Sequence, residues 1–232
     1  MYLIIDTSTR YGAVGLWTDD TLVRCQTWYS KNNHTSELMP AIDAVMKTAG
    51  TVPTELAGIA VAQGPGGFSA LRVGLGVAKG LAFAVGLAVV GVSTLEASAY
   101  PYRGSGLPVC ALIASGRGIV AWARFQEAKG WQRRTSDRIT PIEQMLVSRG
   151  RHTLFCGEGL AQHQNMIRES LGAKAHFATE LAPLTRLAGV AELGAMMLDA
   201  GKTVSVAALA PRYLRSPTIT KPNPPKAVSR GG

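Results

Sequence analysis

The chain has 232 residues, of which 47% are hydrophobic and 17% are charged, and its formal net charge is +9. This length suits one large domain or two small lobes, and the composition excludes a chain that is disordered over most of its length. Residues 1–100 carry a net charge of −1, whereas residues 101–210 and 211–232 carry +5 each. Such a basic second half can attract a phosphate backbone, although basic surfaces often serve only solubility.

The cysteines are three in number and widely spaced, at Cys25, Cys110 and Cys156. This pattern predicts neither a disulfide framework nor a zinc site, and it favours a reducing cytoplasm. The N-terminal segment MYLIIDTSTR lacks a basic stretch followed by a leader-length apolar core. We therefore expect no signal peptide.

Residues 1–104 are predicted to form a first lobe. Three strands are expected at MYLIIDTSTR, YGAVGLWTDD and TLVRCQTWYS, with an Asp-Asp turn between the last two. The segment HTSELMPAIDAVMKTAG has apolar residues at helical spacing, with Ser36 or Thr35 as its cap and Gly50 as its stop. A strand at LAGIAVAQG, a helix over residues 69–85 and a strand at LAVVGVS follow. This order predicts a mixed sheet with helices packed against it.

Residues 105–210 are predicted to form a second lobe, because the Pro- and Gly-rich YPYRGSGLP marks a boundary near residue 105. A strand meander is expected at VCALIASGRGIVAWARFQEAKGWQRRTSD, and HTLFCGEGL indicates a further strand and turn. Helical patterns over residues 161–171 and 184–200 complete this lobe. Residues 211–232 are basic and rich in proline, so we expect much of this tail to be unstructured.

The stretch AQGPGGFSALRVGLGVAKG is rich in glycine and opens the second predicted helix. It is not a Walker loop, because Lys79 lies a helix length beyond the first glycines, and no G-x-G-x-x-G opens the helix. The helix N-terminus could still face an anion. Residues 71–91 are long enough to span a membrane, but Lys79 and five glycines favour a packed helix followed by a strand, with no membrane contact.

Three glycines inside this helix, Gly74, Gly76 and Gly80, require an explanation. Each costs about 1 kcal/mol relative to alanine at a helix position, so their presence indicates a close approach of backbones. The residues alone leave two alternatives open, a tightly packed internal helix or a helix–helix interface with another subunit.

Few residues form a pattern typical of catalysis. In IIDTST, Asp6 can bind a hydrated Mg²⁺ and the hydroxyls that follow can bind phosphate oxygens, although many such segments are only turns. The four histidines, His34, His152, His163 and His176, show no metal-ligand spacing. No G-x-S-x-G nucleophile elbow is present in the sequence.

Four segments together resemble the TsaB (YeaZ) family: IIDTST, HTSELMP, GIAVAQGPGGFSALRVGLGVAKGLAFAVGLAVVGVSTLEA and GEGL. The resemblance is close over residues 1–100 and thin beyond them. It implies an α/β fold of two ASKHA (ribonuclease H-like, actin-like ATPase) lobes, each a mixed sheet flanked by helices. It also implies a cytoplasmic, non-catalytic scaffold without a cofactor, which binds and activates TsaD for threonylcarbamoyl transfer to a tRNA adenosine. The implied partners are TsaD through a two-helix face, TsaE in a larger complex, a second copy when the chain is alone, and tRNA as substrate of the complex.

The resemblance also assigns roles to particular residues. The predicted interface consists of Leu38, Ile42, Val45, Met46, Leu71, Gly74, Gly76, Lys79, Gly80 and Phe83. Candidate vestigial nucleotide-binding residues are Asp6, Thr7, Ser8 and Thr9. The second hairpin, LIASGRG, has Ala114, Ile119 and Ala121 where the family often has Asp, Glu and Tyr, so only half of an ATP clamp is expected.

Basic residues in the second half were considered for tRNA or partner contact. The candidates are Arg124, Lys129, Arg133, Arg134, Arg212 and Arg215. A small-molecule kinase or ATPase of the same superfamily remains the alternative function. A peptidase is disfavoured, because the sequence has neither a metal-binding histidine pair nor a recognisable nucleophile.

Overall fold

The first sheet has five strands in the order β3-β2-β1-β4-β5, in a computed structural model that describes residues 1–146, 151–179 and 182–215. The strands are β1 (Tyr2–Asp6), β2 (Tyr11–Thr18), β3 (Thr21–Tyr29), β4 (Gly58–Gly64) and β5 (Ala88–Ser93). β1 pairs antiparallel with β2 and parallel with β4. The predicted mixed sheet is therefore confirmed.

Two helices, α1 (His34–Ala49) and α2 (Phe68–Val85), pack side by side on the outer side of this sheet. Their inward apolar residues form one core with alternate side chains of the strands. Gly50 ends α1 in the left-handed conformation, as predicted. The predicted cap is wrong, because α1 begins at His34, before Thr35 and Ser36, and the Ser36 hydroxyl donates to the Asn33 carbonyl at 3.0 Å.

The second sheet has the strand order β11-β10-β6-β7-β8, and β9 also pairs with β7. Its strands are β6 (Val109–Ala114), β7 (Ile119–Glu127), β8 (Trp131–Arg133), β9 (Arg138–Pro141), β10 (Thr153–Cys156) and β11 (Ala175–Phe177). The helices α4 (Ile142–Leu146) and α5 (Leu160–Leu171) cover one face of it.

Two further helices lie between the sheets. α3 (Thr94–Ala99) packs on the second sheet, and α6 (Ala182–Asp199) packs on the inner face of the first. The sequence placed the last helix in the second lobe, and this is corrected, because Leu187, Val190 and Ala191 share a core with the strands of the first sheet. α6 thus returns the chain to the first lobe.

The segment after α6 continues over the first lobe. The Val204 amide donates to the Val89 carbonyl at 3.1 Å, and the Arg212 amide donates to the Gln63 carbonyl at 2.8 Å. The ring of Tyr213 stacks on Phe68 with their centroids 4.8 Å apart. Residues 211–215 are therefore packed rather than unstructured, while residues 216–232 of the predicted tail lie outside the described residues.

Candidate functional site

A cleft of about 970 Å³ lies between the two lobes. The first lobe contributes the turn after β1 and the starts of α1 and α2. The second lobe contributes the β6–β7 hairpin and the start of α5. The lining includes Thr9, Tyr11, His34, Phe68, Arg117 and Glu158.

The turn after β1 has its polar side chains directed into the protein. Asp6 is fully buried, and its Oδ1 accepts from the amide and the hydroxyl of Ser8, at 2.8 and 2.7 Å. The Thr7 hydroxyl donates to the Ala70 carbonyl at 2.7 Å, and the Thr9 hydroxyl donates to Glu158 Oε1 at 2.9 Å. The polar side chains of residues 6–9 are therefore engaged within the chain, and nucleotide binding by them stays a prediction.

The remaining oxygen of Asp6 pairs with Arg186, a residue that the sequence did not single out. The Arg186 Nε donates to Asp6 Oδ2 at 2.5 Å, and its NH1 donates to Glu158 Oε1. Its NH2 lies 3.2 Å from the Thr9 hydroxyl and 3.4 Å from the Tyr11 carbonyl. The signal available in the sequence was a cation within a mainly apolar helical run, LTRLAGVAEL.

Burial and ion pairing act in opposite directions on Arg186. Only 1% of the residue is exposed, and burial by itself would lower the pKa of the guanidinium. The carboxylates of Asp6 and Glu158 outweigh burial and raise this pKa above its ordinary value. Arg186 is therefore a permanent cation between carboxylates of the two lobes.

The glycine loop before α2 packs against the same turn. The Gly67 amide donates to the Ser8 carbonyl at 2.8 Å. A Cβ on Gly66 would lie 2.1 Å from that carbonyl oxygen, so only glycine allows this approach. The loop contacts its own chain at the place where an anion cradle was considered.

Most of the predicted interface residues are buried in the chain itself, and this corrects their assignment. The side chains of Leu38, Ile42, Val45, Met46 and Leu71 lie in the core of the first lobe.

Two further predicted interface residues also contact their own chain. A Cβ on Gly74 would lie 2.4 Å from the Thr7 hydroxyl, so this glycine accommodates the turn after β1 and does not face a neighbour. The Lys79 ammonium donates to the Leu209 carbonyl at 3.0 Å.

Three predicted interface residues do face outward. Among the described residues, nothing beyond the helix's own backbone and the adjacent residues lies within 4 Å of a Cβ built on Gly76 or Gly80, and Phe83 is 83% exposed. Arg72 is exposed on the same side, one turn before Gly76, and Met39 of α1 is 45% exposed. We name the exposed residues Met39, Arg72, Gly76, Gly80 and Phe83 the outer helix face.

Of the residues predicted to contact nucleic acid, two are engaged within the chain and the others are exposed or half-exposed. Arg133 donates to Ser93 Oγ and Glu96 Oε2, each at 2.9 Å, and to Asp137 Oδ1. Arg124 NH2 lies 3.4 Å from the Met145 carbonyl. These two arginines are engaged within the chain, which argues against them as surface contacts. Lys129, Arg134 and Arg215 are exposed, and Arg212 is half-exposed with its Nε 3.4 Å from Asp137 Oδ2.

Three of the four histidines make polar contacts within the described parts of the chain. The His34 Nε2 donates to the Thr9 carbonyl at 2.8 Å and so joins α1 to the turn after β1. His152 Nδ1 and His176 Nε2 lie 2.9 Å apart, a pairing across β10 and β11 that their spacing did not predict. Across residues 1–146, 151–179 and 182–215, no group of three or more His, Cys, Asp or Glu side chains is arranged to hold a metal ion.

Comparison with known proteins gives consistent matches along the chain. The family model for TsaD, tRNA N6-adenosine threonylcarbamoyltransferase, matches residues 29–221. The TsaB protein of Escherichia coli, named for tRNA threonylcarbamoyladenosine biosynthesis, is 29% identical over 97% of this chain and 98% of its own length. TsaB of Bacillus subtilis is 29% identical over 92% of this chain and 93% of its own length.

A solved structure supports the same relationship. YeaZ from Pseudomonas aeruginosa superposes with a TM-score of 0.75 and 25% identity, over 92% of this chain and 99% of its own. The predicted fold class, two actin-like lobes that each contain a mixed sheet flanked by helices, is confirmed.

Proposed function

The chain belongs to the TsaD family and, like the TsaB proteins that match it end to end, works in tRNA threonylcarbamoyladenosine biosynthesis; we propose that it is the non-catalytic scaffold of that reaction. In this role it binds a TsaD subunit through the outer helix face and stabilises it for threonylcarbamoyl transfer to a tRNA adenosine. Alone, the chain pairs with a second copy through the same face. TsaE and tRNA join the larger cytoplasmic complex.

The exposure of α2 carries this proposal. Its 18 residues have a mean hydropathy of 1.5, which by length and composition would suffice to cross a membrane, yet only 28% of the helix is buried. α2 packs one face on its own sheet, which leaves Phe83 exposed at the far end of the other face. Large exposed apolar groups mark protein contacts, and small residues such as Gly76 and Gly80 permit close packing of a second helix.

The contents of the cleft support a role without catalysis. Asp6 and Glu158 are paired with Arg186, and the hairpin opposite them presents Ala114 in place of an acidic residue. A general base or a metal ligand requires a carboxylate that is free to accept a proton or a cation. The catalytic step is therefore assigned to the partner.

The test is the solution mass, by light scattering, of the chain mixed with TsaD of the same organism. We expect a one-to-one complex whose affinity falls about 30- to 1,000-fold in Phe83→Asp, because buried aromatic anchors contribute about 2 to 4 kcal/mol to an interface. Met166→Asp is the matched control, since Met166 is also an exposed apolar residue (41%) but lies on α5 of the other lobe.

Each outcome decides the proposal. Loss of the complex in Phe83→Asp with retention in Met166→Asp supports it. Unchanged binding of Phe83→Asp, or equal losses in both variants, contradicts the assignment of this face. If the unaltered chain forms no complex at any ratio, the scaffold role itself is wrong.

A further inference from the structure

We propose that the guanidinium of Arg186 replaces the divalent cation that the sequence suggested at Asp6, so that the chain's own ion pairs hold the two lobes together. The inference concerns the cleft and does not depend on the partner proposed above. It comes from a disagreement between the nucleotide site that the fold suggests and the residues that are present.

A Mg²⁺ ion does not fit the turn after β1. Mg²⁺ requires near-octahedral oxygen ligands and retains several of its waters. Asp6 is fully buried, its Oδ1 accepts two hydrogen bonds from Ser8, and its Oδ2 accepts from Arg186. Both oxygens of this carboxylate are already engaged, and its full burial leaves no room for an ion that retains its waters.

Arg186 contacts both lobes from α6. Asp6 ends β1 of the first sheet, whereas Glu158 follows β10 of the second sheet. The guanidinium pairs with both carboxylates and also contacts the Thr9 hydroxyl and the Tyr11 carbonyl in the first lobe. Its planar arrangement of five donors suits several acceptors at once. The arginine thus bridges the lobes as a bound cation would.

Removal of this cation has a specific chemical consequence. Two carboxylates would then share a largely buried site, and their mutual repulsion would oppose closure of the lobes. Such a pair of oxygen ligands is the type of site that Mg²⁺ and Ca²⁺ prefer. A neutral residue at position 186 should therefore create a response to divalent cations that the unaltered chain lacks.

The experiment measures thermal unfolding of the unaltered chain and of Arg186→Gln, in EDTA and in millimolar MgCl₂ or CaCl₂ at matched ionic strength, with and without ATP. We expect Arg186→Gln to unfold about 10 °C lower in EDTA, because a buried ion pair has lost one partner. Divalent cations should restore about 4 °C of that loss. The unaltered chain should shift by less than about 1 °C under any of these conditions.

Two variants serve as controls. Arg103→Gln removes another ion pair to α6, that with Glu192, whose partners are both partly exposed, and it should show no response to divalent cations. Arg186→Lys retains a positive charge and should respond less than Arg186→Gln. If Arg186→Gln does not fold in EDTA, refolding from urea with and without MgCl₂ makes the same test.

The inference is overturned by either of two results. One is stabilisation of the unaltered chain by Mg²⁺ or by Mg²⁺ with ATP, which would show a working cation site beside Arg186. The other is a response of Arg186→Gln to divalent cations that equals that of Arg103→Gln, or refolding that Mg²⁺ does not improve.

Discussion

The interlobe cleft and the outer helix face differ in where their residues find partners. In the cleft, Arg186 forms ion pairs with Asp6 and Glu158 of the same chain. On the outer helix face, the described residues leave Phe83 largely exposed and place nothing against Gly76 or Gly80. The comparison teaches that the charged side chains at the base of the cleft are engaged within the chain, whereas the outer helix face leaves apolar and small residues exposed.

The two regions meet at the turn after β1. The Thr7 hydroxyl donates to the Ala70 carbonyl of α2, and the His34 ring of α1 donates to the Thr9 carbonyl. Arg186 contacts the same turn through Thr9 and Tyr11. The ion pairs of the cleft therefore fix the starts of both helices that form the outer helix face.

Apart from the Arg186 variants, the largest effect on stability that we predict distinguishes two neighbouring arginines, Arg133 and Arg134. Arg133→Gln should lower the free energy of unfolding by about 3 kcal/mol, because the longer contact to Arg212 is then the one ion pair that the described residues give the buried Asp137 carboxylate. Arg134→Gln should change stability by less than about 0.5 kcal/mol, since Arg134 is exposed. Urea denaturation measures both.

Two exposed basic residues, Arg134 and Lys129, test the contribution of the basic surface. In the complex with TsaD, Arg134→Glu combined with Lys129→Glu should weaken tRNA binding and reduce its salt dependence, because exposed cations neutralise phosphates. Unchanged tRNA affinity would remove these two residues from the interface with tRNA. Equal stabilities of Arg133→Gln and Arg134→Gln would contradict the internal role of Arg133.

A second, smaller effect compares the two faces of α2. Gly74→Ala should destabilise the chain by about 1 to 3 kcal/mol, because its Cβ would lie 2.4 Å from the Thr7 hydroxyl. Gly76→Ala should stabilise the isolated chain by about 1 kcal/mol, because its Cβ would clash with none of the residues that the structure describes and alanine favours the helix. Opposite signs in urea denaturation would confirm that the inner face contacts the turn after β1, and equal signs would contradict it.

The smallest predicted effect is on the pH dependence of stability, and it compares the buried thiol of Cys110 with the exposed thiol of Cys25. Burial raises the pKa of the Cys110 thiol to about 11, from an ordinary value of 9.0. The unfolded chain then loses the Cys110 proton at lower pH than the folded chain, so this contribution to stability is complete below pH 9 and declines as pH rises towards 11. Between pH 9 and 10 the decline should be about 1 kcal/mol.

Two alanine variants isolate that contribution. The dependence of unfolding free energy on pH should become shallower in Cys110→Ala and should be unchanged in Cys25→Ala, since Cys25 is exposed on β3. Identical slopes for the unaltered chain and Cys110→Ala would show that the buried thiol does not titrate as described.

Local patterns were sufficient to predict the first sheet and both of its outer helices, because each of these segments has a clear period of apolar residues and a turn at its end. The short elements β9, α3 and α4 were missed, because four to six residues carry no measurable period. The same periodicity could not distinguish the two faces of α1 and α2. An apolar stripe such as Leu38 and Ile42 looks the same whether it packs on its own sheet or on another subunit, and only the fold places it inside.

The cleft was less predictable than the sheets. Asp6 was identified from its turn, but its partner Arg186 lies 180 residues away in sequence, and no local spacing relates the two. Glu158 lies within the GEGL segment, yet its pairing also depends on the return of α6 to the first lobe. Long-range charge pairs of this kind are decided by tertiary structure.

The measurement that tests the central claim most directly is hydrogen exchange of the chain with and without TsaD of the same organism. We predict slower exchange on binding in residues 76–84 of α2 and residues 39–47 of α1, with the turn at residues 6–11 unchanged. Protection of the turn and of the β6–β7 hairpin, with α2 unchanged, would contradict the account and would identify the cleft as the site of contact.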